Sequence, residues 1–453
     1  MKNIVILGGG FGGLACALRV GKALKRLKLS DRYEVVVVDR NPYHTFTPLL
    51  YEIAATAEAA ATNAVLQSIM TMNLRELLAG LPITVVEDSV ISINLAERTV
   101  RLTKNGLSFE YLVIALGAEV NYFGIQGLGE YTLPLKTFAD AIKIRNALTA
   151  AVARAGENPV RVVVGGGGPT GVELAGEIAN NYRGKHLHVT IVEAGSSILA
   201  KMNPRVIRRT ERRLKRLGVS ILTRERITKV FPTFVLLESG EKVYFDVCIW
   251  TGGVKPSSLA EPLLLKKEPR GRLEVAPDLA AAEHVCPVRD RPADPLRLVE
   301  DEARGMATPA PGRPVSNGVF AIGDIAYLHD PRTKAPVPGG MARPAMMEGR
   351  IAAANIIENI KADESRIYAD KNNGVGRHSK KYEYTPRRYP YIVPVGGKYA
   401  IAKIGPFVIS GFPAWIFKGV VELNYFLSIM LVWKALRIWL KGLMVFIKNN
   451  RLG

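Results

Sequence analysis

The sequence predicts an α/β fold built from two Rossmann-type dinucleotide-binding domains, followed by C-terminal amphipathic membrane-anchoring helices. Three observations carry that reading. A G-x-G-x-x-G pattern occurs twice, each time between a β-branched apolar run and a helix-like pattern. Each copy is followed by another apolar strand that ends in an acid. From Phe412 onward the chain is strongly apolar but broken by cations at helical spacing.

The first strand, KNIVIL, runs into Gly8, Gly10 and Gly13, with Phe11 and Gly12 completing the loop, and YEVVVVD then ends at Asp39. The second copy, VRVVV, runs into Gly166, Gly168 and Gly171 around Pro169 and Thr170, and HVTIVE ends at Glu193. Such glycines let backbone N–H groups approach a pyrophosphate at a helix N-terminus, while the acid accepts hydrogen bonds from a ribose diol. One loop alone would be weak evidence, but all five parts agree in both copies. Two dinucleotide sites in one chain mean that two redox cofactors meet, as in the two-dinucleotide-binding flavoprotein fold. The N-terminal copy is assigned to FAD and the mid-chain copy to NADH. Two further segments support FAD. EYLVIALGA places Ala115 and Gly117 in a small-residue turn, and NGVFAIGDIA ends its strand at Gly323 and Asp324. That acid suits the ribityl or pyrophosphate end of a flavin; the alternative is an ordinary strand-ending aspartate.

Length and composition bound the rest. With 453 residues, 48% hydrophobic content and 42 glycines, the chain has room for two or three α/β domains. The expected organisation is an FAD domain over 1–118, an NADH domain over 119–256, a return to the FAD domain over 257–360, and a linker with a membrane-associated region over 361–453. Residues 277–314 hold seven prolines without sustained periodicity and read as a surface excursion. Cys16, Cys248 and Cys286 are far apart, which indicates neither a disulfide framework nor a metal site. The alternating KYAIAKI suggests a small antiparallel sheet ahead of the C-terminal helices.

The net charge of +20 asks for an anionic partner. We see no nucleic-acid module, and the C-terminus points to an anionic membrane surface. Its longest run without charge, Leu423 to Trp433, is 11 residues, well short of the roughly 20 that span a bilayer. Lys434, Arg437, Lys441 and Lys448 recur on one helical face, while Phe426, Ile429, Met430, Trp433, Leu440 and Phe446 fall largely elsewhere. This reads as helix lying in the membrane interface rather than crossing it. The alternative is a helix packed on the protein's own core or in a dimer interface.

On these residues the chain resembles the type II NADH dehydrogenases, single-chain FAD-containing NADH:quinone oxidoreductases of the membrane surface. RNPYHTFTPLLYEIA after Asp39 is similar to the segment that runs beside the flavin in that family. GGGPTGVELAGEI matches its nucleotide loop, and WTGGVKP, AIGDIA and SGFPAW follow in the expected order. The resemblance implies further FAD contacts at Arg40, Pro48, Leu49, Val90 and Ala342, and NADH contacts at Gly252 and Gly253. It also implies a catalytic role for Glu173, which matches a glutamate close to nicotinamide and flavin. Glu173 is expected in the first turn of its helix, where the alternative is a simple helix-dipole carboxylate; Glu177, one turn later, is expected to face packing or solvent. Near the flavin the family pattern A-Q-x-A-x-Q-Q-G is replaced by Ala342 to Gly349, with Arg343 and Met347 where glutamines are expected. An arginine can donate to a quinone carbonyl, so Arg343 and Met347 are the quinone candidates.

The expected function is hydride transfer from NADH to FAD, then two-electron reduction of a lipid quinone without proton pumping, at the cytoplasmic face of the cell membrane. A second copy of the chain is a candidate partner. Two alternatives stand beside it: a sulfide:quinone reductase-like enzyme, which would need cysteines at the flavin, and a slow-turnover NADH-binding scaffold flavoprotein. Glu193, with Ala194 to Ser197 supplying no arginine, implies a preference for NADH over NADPH.

Overall fold

The computed structural model describes residues 1–57, 61–282, 317–371, 380–387 and 389–449. The chain divides into two compact units, the first from Met1–His44, Asn73–Glu119 and Lys255–Arg387 and the second from Thr45–Met72, Val120–Val254 and Arg388–Gly453.

The first unit is organised by a five-stranded parallel sheet. The motif strand Lys2–Leu7 lies at its centre between Tyr33–Asp39 and Tyr111–Ile114, with Ile83–Glu87 and Val319–Ala321 at the edges. Ile4, Val5, Ile6 and Leu7 are all fully buried, because both faces of the sheet are covered, so the strand is continuously apolar rather than alternating. Helix Phe11–Leu27 leaves this strand and packs on the long helix Ala342–Lys371. The two backbones meet where Gly12 faces Gly349; a Cβ on Gly349 would overlap the Gly12 carbonyl oxygen.

Two expectations change here. The long helix continues through Lys361 to Lys371, so the start of the region expected to be linker, 361–381, is helical. Tyr33 and Tyr111 hold it to the sheet by donating to Glu364 (3.0 Å) and Asp363 (2.8 Å). The start of the expected surface excursion is packed instead: Leu279 is fully buried, and the Pro277 carbonyl accepts the Tyr384 N–H. Residues 283–314 of that excursion, with Cys286, lie outside the described residues.

The second unit repeats the sheet. Its motif strand Val160–Gly165 lies between Leu187–Glu193 and Val247–Trp250, with Ser220–Thr223 and Leu133–Pro134 at the edges, all parallel. Helix Phe138–Ala155 opens on a reciprocal capping box between Thr137 and Asp140, and helices Pro169–Asn181 and Pro204–Arg216 follow. KYAIAKI contributes the middle strand of an antiparallel sheet, Tyr391–Pro394, Ala400–Ile404 and Phe407–Gly411. Its alternation puts Ala400 and Ala402 on one face, small enough for Ala414 to pack closely against them. The C-terminal region forms two helices, Phe412–Ile429 and Val432–Asn449, separated where Met430 turns extended. Of the apolar residues first noted there, Phe426, Ile429 and Phe446 are buried, while Trp433 and Leu440 are exposed.

Candidate active site

Each motif loop is shaped by glycines with different tasks. Gly8 turns the chain at φ +108°, where side chains rarely go, and a Cβ there would overlap the Ala115 carbonyl oxygen. Gly13 lets the following helix settle on that turn, since its Cβ would overlap the Gly8 carbonyl oxygen. Gly10 differs: a Cβ there would meet no atom within 4 Å. The fold leaves this space open at the start of helix Phe11–Leu27, which has no side-chain cap and no acid in its first turn. Unpaired N–H groups and a partial positive charge at such an end fit a pyrophosphate. The second unit repeats the design. Gly166 turns at φ +107°, Gly171 sits on the Gly166 carbonyl, and Gly168 faces open space ahead of the uncapped helix Pro169–Asn181.

The two acids also shape these loops. Asp39 Oδ2 accepts from the Gly9 N–H (2.7 Å) and Oδ1 from the Asn41 N–H (2.8 Å). Glu193 Oε2 accepts from the Gly167 N–H and Oε1 from the Gly195 N–H, both at 2.6 Å. A carboxylate has about four acceptor positions, so each acid can grip its loop and still receive ribose hydroxyls. The residues present therefore fit a dinucleotide in each unit.

Most of the remaining FAD assignments fall in the first unit. Phe11 stands edge-on to His44, with ring centroids 5.0 Å apart. His44 Nδ1 donates to the Gly9 carbonyl at 2.9 Å, and burial lowers the ring to about 4, so it is neutral. Gly117 and Gly323 both hold positive φ. The Gly323 N–H donates to Glu348 (2.7 Å), and Asp324 accepts from the Gly340 N–H (2.9 Å). Burial pushes Glu348 up to about 7. Arg40 is exposed and Val90 half-buried, while Ala342 begins the long helix with Arg343 exposed and Met347 half-buried. Pro48 and Leu49 belong to the second unit, where Pro48 is exposed and Leu49 buried. Gly252 and Gly253 are also there, pressed against the rings of Trp250 and Phe123.

The second unit holds a buried charge cluster of which sequence reasoning singled out only Glu173. Lys418 Nζ lies 2.7 Å from both Glu52 Oε1 and Glu422 Oε1, and the Tyr51 hydroxyl donates to Glu52 at 2.7 Å. Burial opposes the Lys418 charge, but Glu422 and Glu52 outweigh it and hold the ammonium above the usual lysine range. Glu173 and Glu177 act electrostatically on the same group. Burial pushes both up to about 8, with Glu52 adding to the rise and Lys418 opposing it. Glu177 is almost fully buried and accepts from the Gly397 N–H at 3.2 Å. Glu173 sits in the second turn of its helix, not the first, so a helix-dipole role does not account for it. Among the described residues, Glu52 Oε2 and Glu177 Oε1 are buried without a hydrogen-bond partner. Four carboxyls near one ammonium leave excess negative charge at low dielectric, which favours the protonated forms of Glu173 and Glu177. Glu52, Lys418 and Glu422 line a cavity of about 220 Å³ whose other walls include Trp415, Phe426 and Trp439. The available signal was Lys418 and Glu422, an i,i+4 pair in an apolar stretch, where isolated charges need partners.

Twin open cradles on twin parallel sheets define a two-dinucleotide flavin oxidoreductase. The chain belongs to the pyridine nucleotide-disulphide oxidoreductase family, whose model matches residues 2–285. It is 26% identical to a type II NADH:quinone oxidoreductase of Mycobacterium tuberculosis over 94% of this chain and 84% of that protein. It is 31% identical to a demethylphylloquinone reductase of Synechocystis over 60% of this chain and 66% of that protein. Its fold matches the NDH2 of Plasmodium falciparum solved in complex with NADH, with TM-score 0.70, 18% identity and coverage of 99% and 98% of the two chains.

Proposed function

We propose that this chain is a type II NADH:quinone oxidoreductase, attached to the cytoplasmic face of the cell membrane and moving no protons across it. The observation that carries the reading is the pair of open cradles at Gly10 and Gly168, each closed by an acid-bound loop. FAD, when bound, accepts a hydride from NADH and returns two electrons to an acceptor. The residues of this chain bind, orient and supply protons. The helix beginning at Phe11 would receive the FAD pyrophosphate and Asp39 its ribose; the helix beginning at Pro169 and Glu193 would do the same for NADH.

The acid cluster supports a quinone as acceptor, because reducing a quinone to a quinol consumes two protons. Glu173 and Glu177, held near 8, can give up protons close to neutral pH, and Lys418 offers a cationic donor at the wall of a mostly apolar cavity. Arg343 and Met347 remain the headgroup candidates in the first unit. Among the described residues, sulfur chemistry is disfavoured by Cys16 and Cys248, which are buried in separate units with thiols pushed up to about 12.

Among the described residues no helix is long and apolar enough to cross a membrane. The C-terminal helices instead expose apolar rows at four-residue spacing, Phe412, Ile416 and Val420 on one and Leu436, Leu440 and Met444 on the other. Rows this extensive fit the apolar side of a bilayer interface. Lys418→Met tests the acceptor assignment. NADH-dependent reduction of ferricyanide should persist, while kcat/KM for a quinone falls on the order of a hundredfold. Unchanged quinone kinetics would remove the cluster from the reaction.

A further inference from the structure

The densest charge in the second unit lies outside this site. Helix Pro204–Arg216 carries seven cations and one acid, Glu211. Two of the cations serve the fold. Arg209 donates to the Val408 carbonyl (2.7 Å) and Ser410 Oγ (3.1 Å). Arg213 donates to the Val395 and Gly396 carbonyls (3.2 and 3.1 Å) and lies 4.6 Å over the Tyr399 ring. The other five, Arg205, Arg208, Arg212, Lys215 and Arg216, are exposed and form no ion pair among the described residues. Steps of three and four place them on one face, opposite the buried Val206, Thr210 and Leu214. Like charges at such spacing repel and weaken a helix. A fold that only needed solubility would have mixed the signs.

We propose that this stripe is a binding surface for anionic phospholipid headgroups, a membrane contact separate from the apolar C-terminal helices. The proposal rests on the membrane-surface reading above. Two observations favour lipid over another polyanion. Arg209 holds strand Phe407–Gly411, which enters the helix at Phe412 directly, so the stripe is tied to the anchoring segment. The same strand exposes Phe407 at 69% and Ile409 at 42%, apolar side chains that suit a bilayer interface and not a phosphodiester backbone. Each cation held near an anionic surface strengthens attachment by about fivefold, and the gain is screened by salt.

The test compares full-length wild type with the fourfold variant Arg205→Gln, Arg208→Gln, Arg212→Gln and Arg216→Gln. Binding is measured on phosphatidylcholine vesicles with and without phosphatidylglycerol, at low and high salt. Flavin absorbance and NADH:ferricyanide turnover verify that the variant is folded. Wild type should prefer the anionic vesicles at low salt. The variant's preference should fall on the order of a hundredfold, leaving only what Lys434, Arg437 and Lys441 of the C-terminal helices supply, while phosphatidylcholine is bound as by wild type. A variant that keeps the full preference for phosphatidylglycerol overturns the proposal. So does one that loses only retention on duplex DNA, which would reassign the stripe to nucleic acid. Wild type that binds anionic but not neutral vesicles, with binding lost in the variant, would support the stripe and refute the apolar anchor. Wild type that binds neither vesicle refutes both.

Discussion

Glu193 gives the most demanding test of the nucleotide site, because its carboxylate has two tasks. Both oxygens accept backbone N–H groups at 2.6 Å, from Gly167 in the loop and from Gly195 beyond the strand. The same oxygens would receive the adenosine ribose of NADH. A 2′-phosphate would bring about two negative charges against a carboxylate that cannot swing away without releasing the loop. Lost ribose contacts and added repulsion should together cost NADPH a few kcal/mol, or about tenfold to several hundredfold in kcat/KM. Glu193→Gln removes the charge but turns one acceptor into an NH₂ group facing a backbone N–H. One charge-assisted hydrogen bond is lost, at about 1.5–3 kcal/mol. The variant should therefore bind both nucleotides more weakly while narrowing the ratio between them. The assay is kcat/KM for NADH and NADPH with ferricyanide as acceptor. A wild type that uses both equally, or a variant with an unchanged ratio, would refute the assignment.

Two further outcomes follow from the same geometry. Gly10→Val should fold, because beyond its chain neighbours no protein atom lies within 4 Å of the new Cβ, yet purify without its flavin spectrum; Gly13→Ala should fail to fold, since its Cβ overlaps the Gly8 carbonyl. A full flavin spectrum in Gly10→Val would place FAD elsewhere. Glu177 is raised from 4.5 to about 8, so its stabilising contribution is complete below about 4.5 and is lost as pH rises through 8. Glu177→Gln keeps an acceptor for the Gly397 N–H and should flatten the fall in melting temperature between pH 5 and 8. Parallel curves for the two proteins would show that Glu177 is not held protonated.

The parts of the molecule legible in the sequence are those where backbone geometry dictates residue type. Gly8, Gly13, Gly166 and Gly171 are positions where a Cβ collides with the chain itself, so the doubled motif and both parallel sheets could be read directly, and the family with them. Asp39 and Glu193 were legible as acids ending strands, but their grip on Gly9 and Gly167 was not, since that depends on how the loop folds back. The helical course of residues 361–371 was masked by their polarity; the hydroxyls of Tyr33 and Tyr111 hold them in place from strands far away in the chain. The acid cluster was least legible. Glu52 and Lys418 are 366 positions apart and meet only through the fold; Glu173 was singled out by the family resemblance, while Glu177 alone looks like an ordinary polar position of an amphipathic helix.

The central claim is a two-stroke passage of electrons from NADH through FAD to a quinone, and one anaerobic absorbance experiment follows both strokes. The purified yellow protein is mixed with one equivalent of NADH, and the flavin band is followed before and after addition of a quinone. The account predicts rapid bleaching by NADH and full return of the band on adding a menaquinone or ubiquinone analogue. A flavin that NADH does not bleach, or that bleaches and is reoxidised by no quinone in the panel, would contradict it.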